Sequence, residues 1–165
     1  MVHLGRGEGQ LYDHAYEFGD DRKNVPLGDP RLVCVDPTRV AEFWPHVRDL
    51  IKAAIDRTGL SDFGDIEADV IDGEQLLWLA YGDGIEAAAT THLIKTEDRP
   101  ICILTACSGH QRERWLPLFT QIENYARNEG AKAMRIYGRK GWEHVLDDYR
   151  VEHVILEKNL DASSN

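Results

Sequence analysis

The sequence predicts an α/β domain built on a mixed β-sheet flanked by helices. Three observations carry this reading: β-branched runs alternate with segments of helical period, a glycine-rich turn joins two of those runs, and one later run is apolar on both faces. An antiparallel meander that feeds a strand–helix–strand crossover is a mixed sheet with helices on its faces.

The first strand is Arg31–Asp36, a short β-branched run. Asp36-Pro37 follows as an N-cap and a residue suited to the first helical position. From there Val40, Phe43, Trp44, Val47, Leu50, Ile51, Ala54 and Ile55 recur at helical spacing. Pro45 interrupts the pattern and predicts a short helix, a break, and a second helix that ends at Gly59. Asp62–Asp72 carries a weaker helical signal closed by Gly73. Gln75–Tyr81, the turn Gly82-Asp83-Gly84 and Ile85–Ile94 read as a hairpin. Ile101–Cys107 is the central strand, covered on both sides.

After the polar stretch His110–Arg114 comes a helix with Trp115, Leu118, Phe119, Ile122 and Ala126 on one face, stopped by Gly130. Pro117 falls in its first turn, where proline is tolerated. Ala133–Tyr137 is predicted as a strand, Lys140–Leu146 as a short helix, Asp147-Asp148 as a turn and Val151–Glu157 as the last strand. The domain therefore runs from about residue 31 to 160, with a polar tail over 161–165. Residues 1–30 form a separate segment with five glycines and scattered Tyr12, Tyr16 and Phe18 in no steady period. That composition fits a flexible tail or an arm that docks on a neighbouring subunit.

Composition excludes several classes of function. No run of about 18 apolar residues is present, so no helix is expected to span a membrane, and the N-terminus lacks the apolar stretch of a signal peptide. Cys34, Cys102 and Cys107 make an odd count within apolar segments and read as buried thiols of a cytoplasmic protein. The formal charge of −10 disfavours nucleic-acid phosphate as a partner, although bases cluster over His110–Arg114 and Arg135–Lys140. None of the seven histidines pairs at the i, i+4 spacing of a helical metal site, and Cys102 and Cys107 are not a CxxC pair, so no metal is expected.

Four segments carry a family resemblance: Gln75–Ala80 before a turn, Ser108-Gly109 after the central strand, Tyr125–Gly130, and Gly138-Arg139-Lys140-Gly141-Trp142. Together with the element order, they resemble the GNAT superfamily of N-acyltransferases, and more narrowly the GNAT-like proteins encoded by tailed phages and prophages. The resemblance implies the acyl-CoA N-acyltransferase fold over residues 31–160. It also implies an acetyl-CoA loop between central strand and helix, in which an Arg/Gln-x-x-Gly-x-Gly/Ala motif lets backbone N–H groups meet a pyrophosphate. In the best register this motif starts at Gln111 and places Arg114 and Leu116 at the glycine positions. The residues implied to meet the cofactor are Ser108, Gly109, Gln111, Arg112 and Arg114, with arginine side chains replacing bare backbone.

Many GNAT enzymes also protonate the departing thiolate with a tyrosine in the short helix before the last strand. Trp142–Leu146 holds none, and Tyr149 lies just beyond. Candidates for proton transfer are therefore Tyr149, His92 and His110. Arg139 and Trp142 read either as a core cap with a surface ion pair or as the lining of a ligand or partner groove. The acids of Asp62–Asp72 read as a solvated helix face. From the degenerate loop and the missing tyrosine, the expectation is a structural, virion/assembly or partner-binding protein that makes little use of acetyl-CoA. The alternative is a divergent acetyl-CoA-dependent N-acetyltransferase acting on a primary amine.

Overall fold

Six strands make one sheet in sequence order. The computed structural model describes Val2–Leu4 and residues 28–161. The strands are β1 (Val2–Leu4), β2 (Arg31–Val35), β3 (Leu76–Tyr81), β4 (Ile85–Ile94), β5 (Ile101–Gly109) and β6 (Ala133–Ile136). Pairings β2/β3, β3/β4 and β4/β5 are antiparallel, whereas β1/β2 and β5/β6 are parallel. This is the mixed α/β sheet that the sequence predicts. The first residues of the N-terminal segment thus lie along β2 as a short strand, with Val2 opposite Val33. The aromatics Tyr12, Tyr16 and Phe18 of the expected arm lie outside the described residues.

Helix α1 (Val40–Thr58) and helix α2 (Phe63–Asp72) cover one face. Their core holds Phe43, Trp44, Val47, Ile51, Ile66 and Val70 against Val33, Val35, Leu77, Leu79, Ala88 and Ala106 of the sheet. The expected break at Pro45 does not occur, for α1 is one helix of 19 residues with Pro45 inside it. Pro45 and Ala41 are both exposed, so the carbonyl that Pro45 cannot bond falls on the solvent side, while Phe43, Trp44 and Val47 hold the helix down. Gly59 then ends α1 at φ 64, the left-handed conformation that glycine adopts without strain. Trp44 Nε1 and Arg48 Nε both donate to Glu67 Oε2 at 2.7 Å and lock α1 to α2.

The opposite face packs on Phe119 and Ile122 of helix α4 (Phe119–Asn128) through Leu32, Cys34, Trp78, Ala89 and Leu104. The long helix expected after the central strand is divided. A single turn, α3 (Arg112–Trp115), passes into a 3-10 turn over Leu116–Leu118 that carries Pro117, and only then does α4 begin. The expected helix at Lys140–Leu146 is a 3-10 turn over Lys140–His144.

The predicted last strand is absent from the sheet. Residues 151–160 run without regular hydrogen bonding, and Val154, Ile155 and Leu156 are 76%, 67% and 93% exposed. β-Branched composition favours extended backbone, but a strand also needs a ladder partner. Strand β6 offers an edge of only four residues, and a cleft of about 360 Å³ lies between it and Val151–Ile155.

Two bulges interrupt the central hairpins. In the first, Ala80 pairs with Ala87 but Tyr81 with Ile85, so Glu86 is the extra residue. In the second, Thr90 pairs with Ala106 but Thr91 with Leu104, so Thr105 is extra. Thr105 is buried, and its hydroxyl donates to Gln75 Oε1 at 2.6 Å while lying 2.7 Å from Thr90 Oγ1. The Gln75 amide is itself 2% exposed and donates through Nε2 to Asp69 Oδ2 at 3.0 Å. Buried polar groups of this kind are stable only when paired. Gln75→Met keeps the volume and removes both bonds, and is expected to lower unfolding free energy by about 1–3 kcal/mol, read from the urea midpoint. An unchanged midpoint would show that the bulge does not depend on this amide.

Candidate active site in the wedge between two parallel strands

The Thr105 bulge has two consequences for the residues that follow it. Successive strand residues point to opposite faces, so one inserted residue reverses the phase. Leu104 accordingly packs on the α4 face and Ala106 on the α1 face, where an unbroken strand would put both on one face. Cys107 then joins the α4 side, and Ser108 turns to α1, where its Oγ accepts from Arg57 Nη2 at 3.0 Å. The second consequence is separation. Parallel pairing of β5 with β6 ends at Leu104 opposite Ile136, and the last rung is Tyr137 N–H to the Leu104 carbonyl at 3.0 Å. Past that rung β6 turns away at Gly138, and the β5 edge over residues 105–109 faces open space.

That space is a cavity of about 430 Å³. Leu104, Cys107, Ser108 and Gly109 form its floor from β5, and Ala54, Arg57 and Thr58 form one wall at the end of α1. The other wall is Arg112 and Trp115 of α3 with Ile136, Tyr137, Gly138, Arg139, Gly141 and Trp142. Gly138 is required there by Trp142, because a Cβ at 138 would lie 2.5 Å from Trp142 Cδ1. Trp142 also packs on Phe119, with ring centroids 6.5 Å apart, so it caps the core and lines the cavity at once.

Arginines supply the charge of the lining. Arg57, Arg112 and Arg139 line the cavity and no Asp or Glu does, in a chain with 29 acids against 19 bases. Four arginines elsewhere have acidic partners: Arg39 with Glu42, Arg48 with Glu67, Arg114 with Glu86 and Arg150 with Glu152. The three at the cavity form no ion pair among the described residues. Uncompensated guanidinium groups around an apolar hollow make a site for an anion.

The residues expected to hold a cofactor separate into two groups. Ser108, Gly109 and Arg112 line the cavity. Gln111 and Arg114 do not. Gln111 is exposed and takes φ 50, which turns the chain from β5 into α3. Arg114 is occupied elsewhere: Nε and Nη2 donate to the two carboxylate oxygens of the bulged Glu86 at 2.9 and 2.7 Å, and Nη2 also donates to the Gly28 carbonyl at 2.6 Å. It fastens the loop to the hairpin. At Gly109 a side chain is excluded by packing, since a Cβ there would collide with Ala87 and with the Glu86 carbonyl of β4. The Trp115 indole closes the loop by donating to the His110 carbonyl at 2.9 Å.

None of the three proton-transfer candidates lines the cavity. His92 is half-buried opposite Ile103, on the far side of the bulge. His110 is exposed, and its backbone N–H is spent on the Glu86 carbonyl. The Tyr149 hydroxyl donates to Glu123 Oε1 at 2.9 Å and lies in the neighbouring cleft with Trp142. Burial and the Glu123 carboxylate push its pKa well above the ordinary phenol range. Tyr137 is the one phenol on the cavity, and neither it nor Arg57 is marked by a motif. Tyr137 looks like the end of a strand, and Arg57 like a base favoured in the last turn of any helix.

Cys107 also lines the cavity, and desolvation pushes its thiol up to about 12 despite the opposing charge of Arg57. The sign favours the neutral thiol: below pH 9, about 10³-fold fewer thiolates are present than at an ordinary cysteine. Iodoacetamide labelling of Cys107 in the native protein should therefore be slow and climb log-linearly from pH 7.5 to 9.5. A plateau near pH 9, followed by mass spectrometry, would place the thiol at its usual value instead.

Among the described residues, no helix is long and apolar enough to cross a membrane, and no group of three or more His, Cys, Asp or Glu could hold a metal. No protein-family model matches the sequence, and no curated protein matches it. Solved structures do match its fold. An aminoglycoside acetyltransferase from an uncultured soil metagenomic sample superposes with a TM-score of 0.59 at 10% identity, covering 80% of this chain and 97% of its own. A predicted acetyltransferase with acetyl-CoA from Clostridium acetobutylicum gives 0.57 at 12%, covering 79% and 96%. An aminoglycoside N-acetyltransferase in complex with CoA gives 0.55 at 15%, covering 82% and 99%.

Proposed function

We propose that this chain, which has the GNAT acyltransferase fold, is a divergent N-acyltransferase that uses acetyl-CoA or a related CoA thioester to acylate a primary amine. The observation that carries this reading is the arginine-lined wedge at the point where β5 and β6 part, with no carboxylate in its lining. Fold alone does not fix function, so the weight rests on this cavity. The degenerate loop argued instead for a structural or assembly role. Phosphate need not meet bare backbone where guanidinium groups stand in its place, as they do in the wedge.

In this reading Arg112 and Arg139 hold the phosphates of the thioester by charge-assisted hydrogen bonds. The bound thioester supplies an acyl group already activated for attack by an amine. The open edge of β5 over residues 105–109 orients the reactants, and Leu104, Trp115, Ile136 and Trp142 exclude water around them. As the amine nitrogen bonds to the acyl carbon and the C–S bond breaks, the Tyr137 hydroxyl gives a proton to the departing sulfur and recovers one from the acylated nitrogen, so that CoA leaves as the free thiol. Aminoglycosides, which two of the structural neighbours take by their names, are polycations. A wall of arginines disfavours them here.

Acetyl-CoA at about one hundred times its Kd should raise the melting temperature by roughly 5–10 °C. Arg112→Ala and Arg139→Ala should abolish most of that rise, whereas Arg114→Ala should lower the melting temperature of the free protein and keep the rise. No shift at millimolar acetyl-CoA would sink the enzymatic reading. Tyr137→Phe should lower kcat by roughly 10²-fold with little change in the KM for acetyl-CoA. Unchanged kcat would remove the phenol from proton transfer.

A further inference from the structure

The two walls of the wedge belong to opposite faces of the sheet. Arg112, Arg139, Trp115 and Trp142 come from the α4 side, while Arg57 comes from the last turn of α1 on the other side. The proposed acyltransfer places the phosphates of the thioester on Arg112 and Arg139. Arg57 is then left over, and it is neither a surface ion pair nor a loose side chain. One of its five N–H groups is spent on Ser108 Oγ at 3.0 Å, on a serine that is 4% exposed. That bond holds the guanidinium against the floor. No carboxylate partners it among the described residues, and its charge acts on Cys107 in the cavity.

An amine that attacks a thioester carbonyl approaches one side of the acyl plane. A donor laid along the α3 and β6 wall leaves the α1 wall as the approach for the acceptor. The charged group on that wall is Arg57. A free ammonium or a polyamine is repelled by it, and an amine that also carries an anion is drawn in and oriented by a forked pair of hydrogen bonds.

We infer that Arg57 is a specificity residue for the acceptor, and that the acceptor is a primary amine bearing a carboxylate, sulfonate or phosphate. The Thr105 bulge is what brings this residue to the floor, because it alone turns Ser108 toward α1. This inference rests on the proposed acyltransfer, and the two fail in different ways.

A matched series of small amines separates them: ethanolamine, its O-phosphate, β-alanine, taurine and spermidine, each offered with acetyl-CoA to the full chain. Transfer is read by mass spectrometry of the N-acetyl product and by release of the CoA thiol. Phosphoethanolamine, β-alanine or taurine should exceed ethanolamine at least tenfold in kcat/KM, with spermidine poorest. Arg57→Ala should erase the preference by raising the KM of the anionic acceptor, with the KM for acetyl-CoA unmoved, and Arg57→Lys should restore part of it. Equal or better use of ethanolamine or spermidine would overturn the inference. So would an Arg57→Ala variant that raises the KM for acetyl-CoA, or wild-type protein that binds acetyl-CoA yet acetylates none of the anionic amines. Absence of acetyl-CoA binding would instead overturn the acyltransferase reading from which the inference starts.

Discussion

One extra residue in the central strand sets the geometry on which the rest depends. A strand of uniform pleat would continue beside β6 and leave no gap. With Thr105 inserted, the parallel ladder stops at Leu104 and the side-chain phase reverses. The reversal sends Ser108 to the α1 face and Cys107 to the α4 face, so both walls of the wedge gain a contact with the same strand. The inserted residue is held from the side by Gln75, which is anchored in turn by Asp69 at the end of α2. Two elements far apart in sequence thus fix the one irregularity that opens the site.

The second organising feature is the distribution of charge. In a chain with ten more acids than bases, four arginines of the described residues are paired with carboxylates, one of them across a short sequence separation, Arg39–Glu42. Such exposed pairs contribute little to stability, but they leave the remaining cations conspicuous. Arg57, Arg112 and Arg139 come from three different elements and converge on one hollow. Their like charges make this hollow the place on the described surface where an anion is best accommodated.

The loop between β5 and α3 shows how one departure from a motif divides into two roles. Arg112 keeps to the cavity, while Arg114, two residues on, is drawn out of it by the carboxylate of a bulged Glu86. Loop conformation that glycine and a helix dipole secure elsewhere is secured here by that ion pair, by Gln111 at positive φ and by the Trp115–His110 bond.

By itself the sequence determined most of the sheet and the helices, because period, caps and turns are local. The hairpin at Gly82–Gly84, the cap at Asp62 and the stop at Gly73 all act within a few residues. Burial of Trp44, Trp78 and Trp115 followed from their apolar faces in the same way. Tertiary structure decided what depends on partners. Pro45 reads as a break, yet packing of Phe43, Trp44 and Val47 carries the helix through it. Val151–Glu157 has the composition of a strand but no ladder to join. The GNAT resemblance pointed to the loop between strand and helix, of which Ser108, Gly109 and Arg112 line the cavity while Arg114 is bonded to Glu86. It did not reach Arg57 or Tyr137, whose positions depend on a bulge and on the parting of two strands. Neither event leaves a local mark in sequence, because each arises from hydrogen bonds made across the sheet.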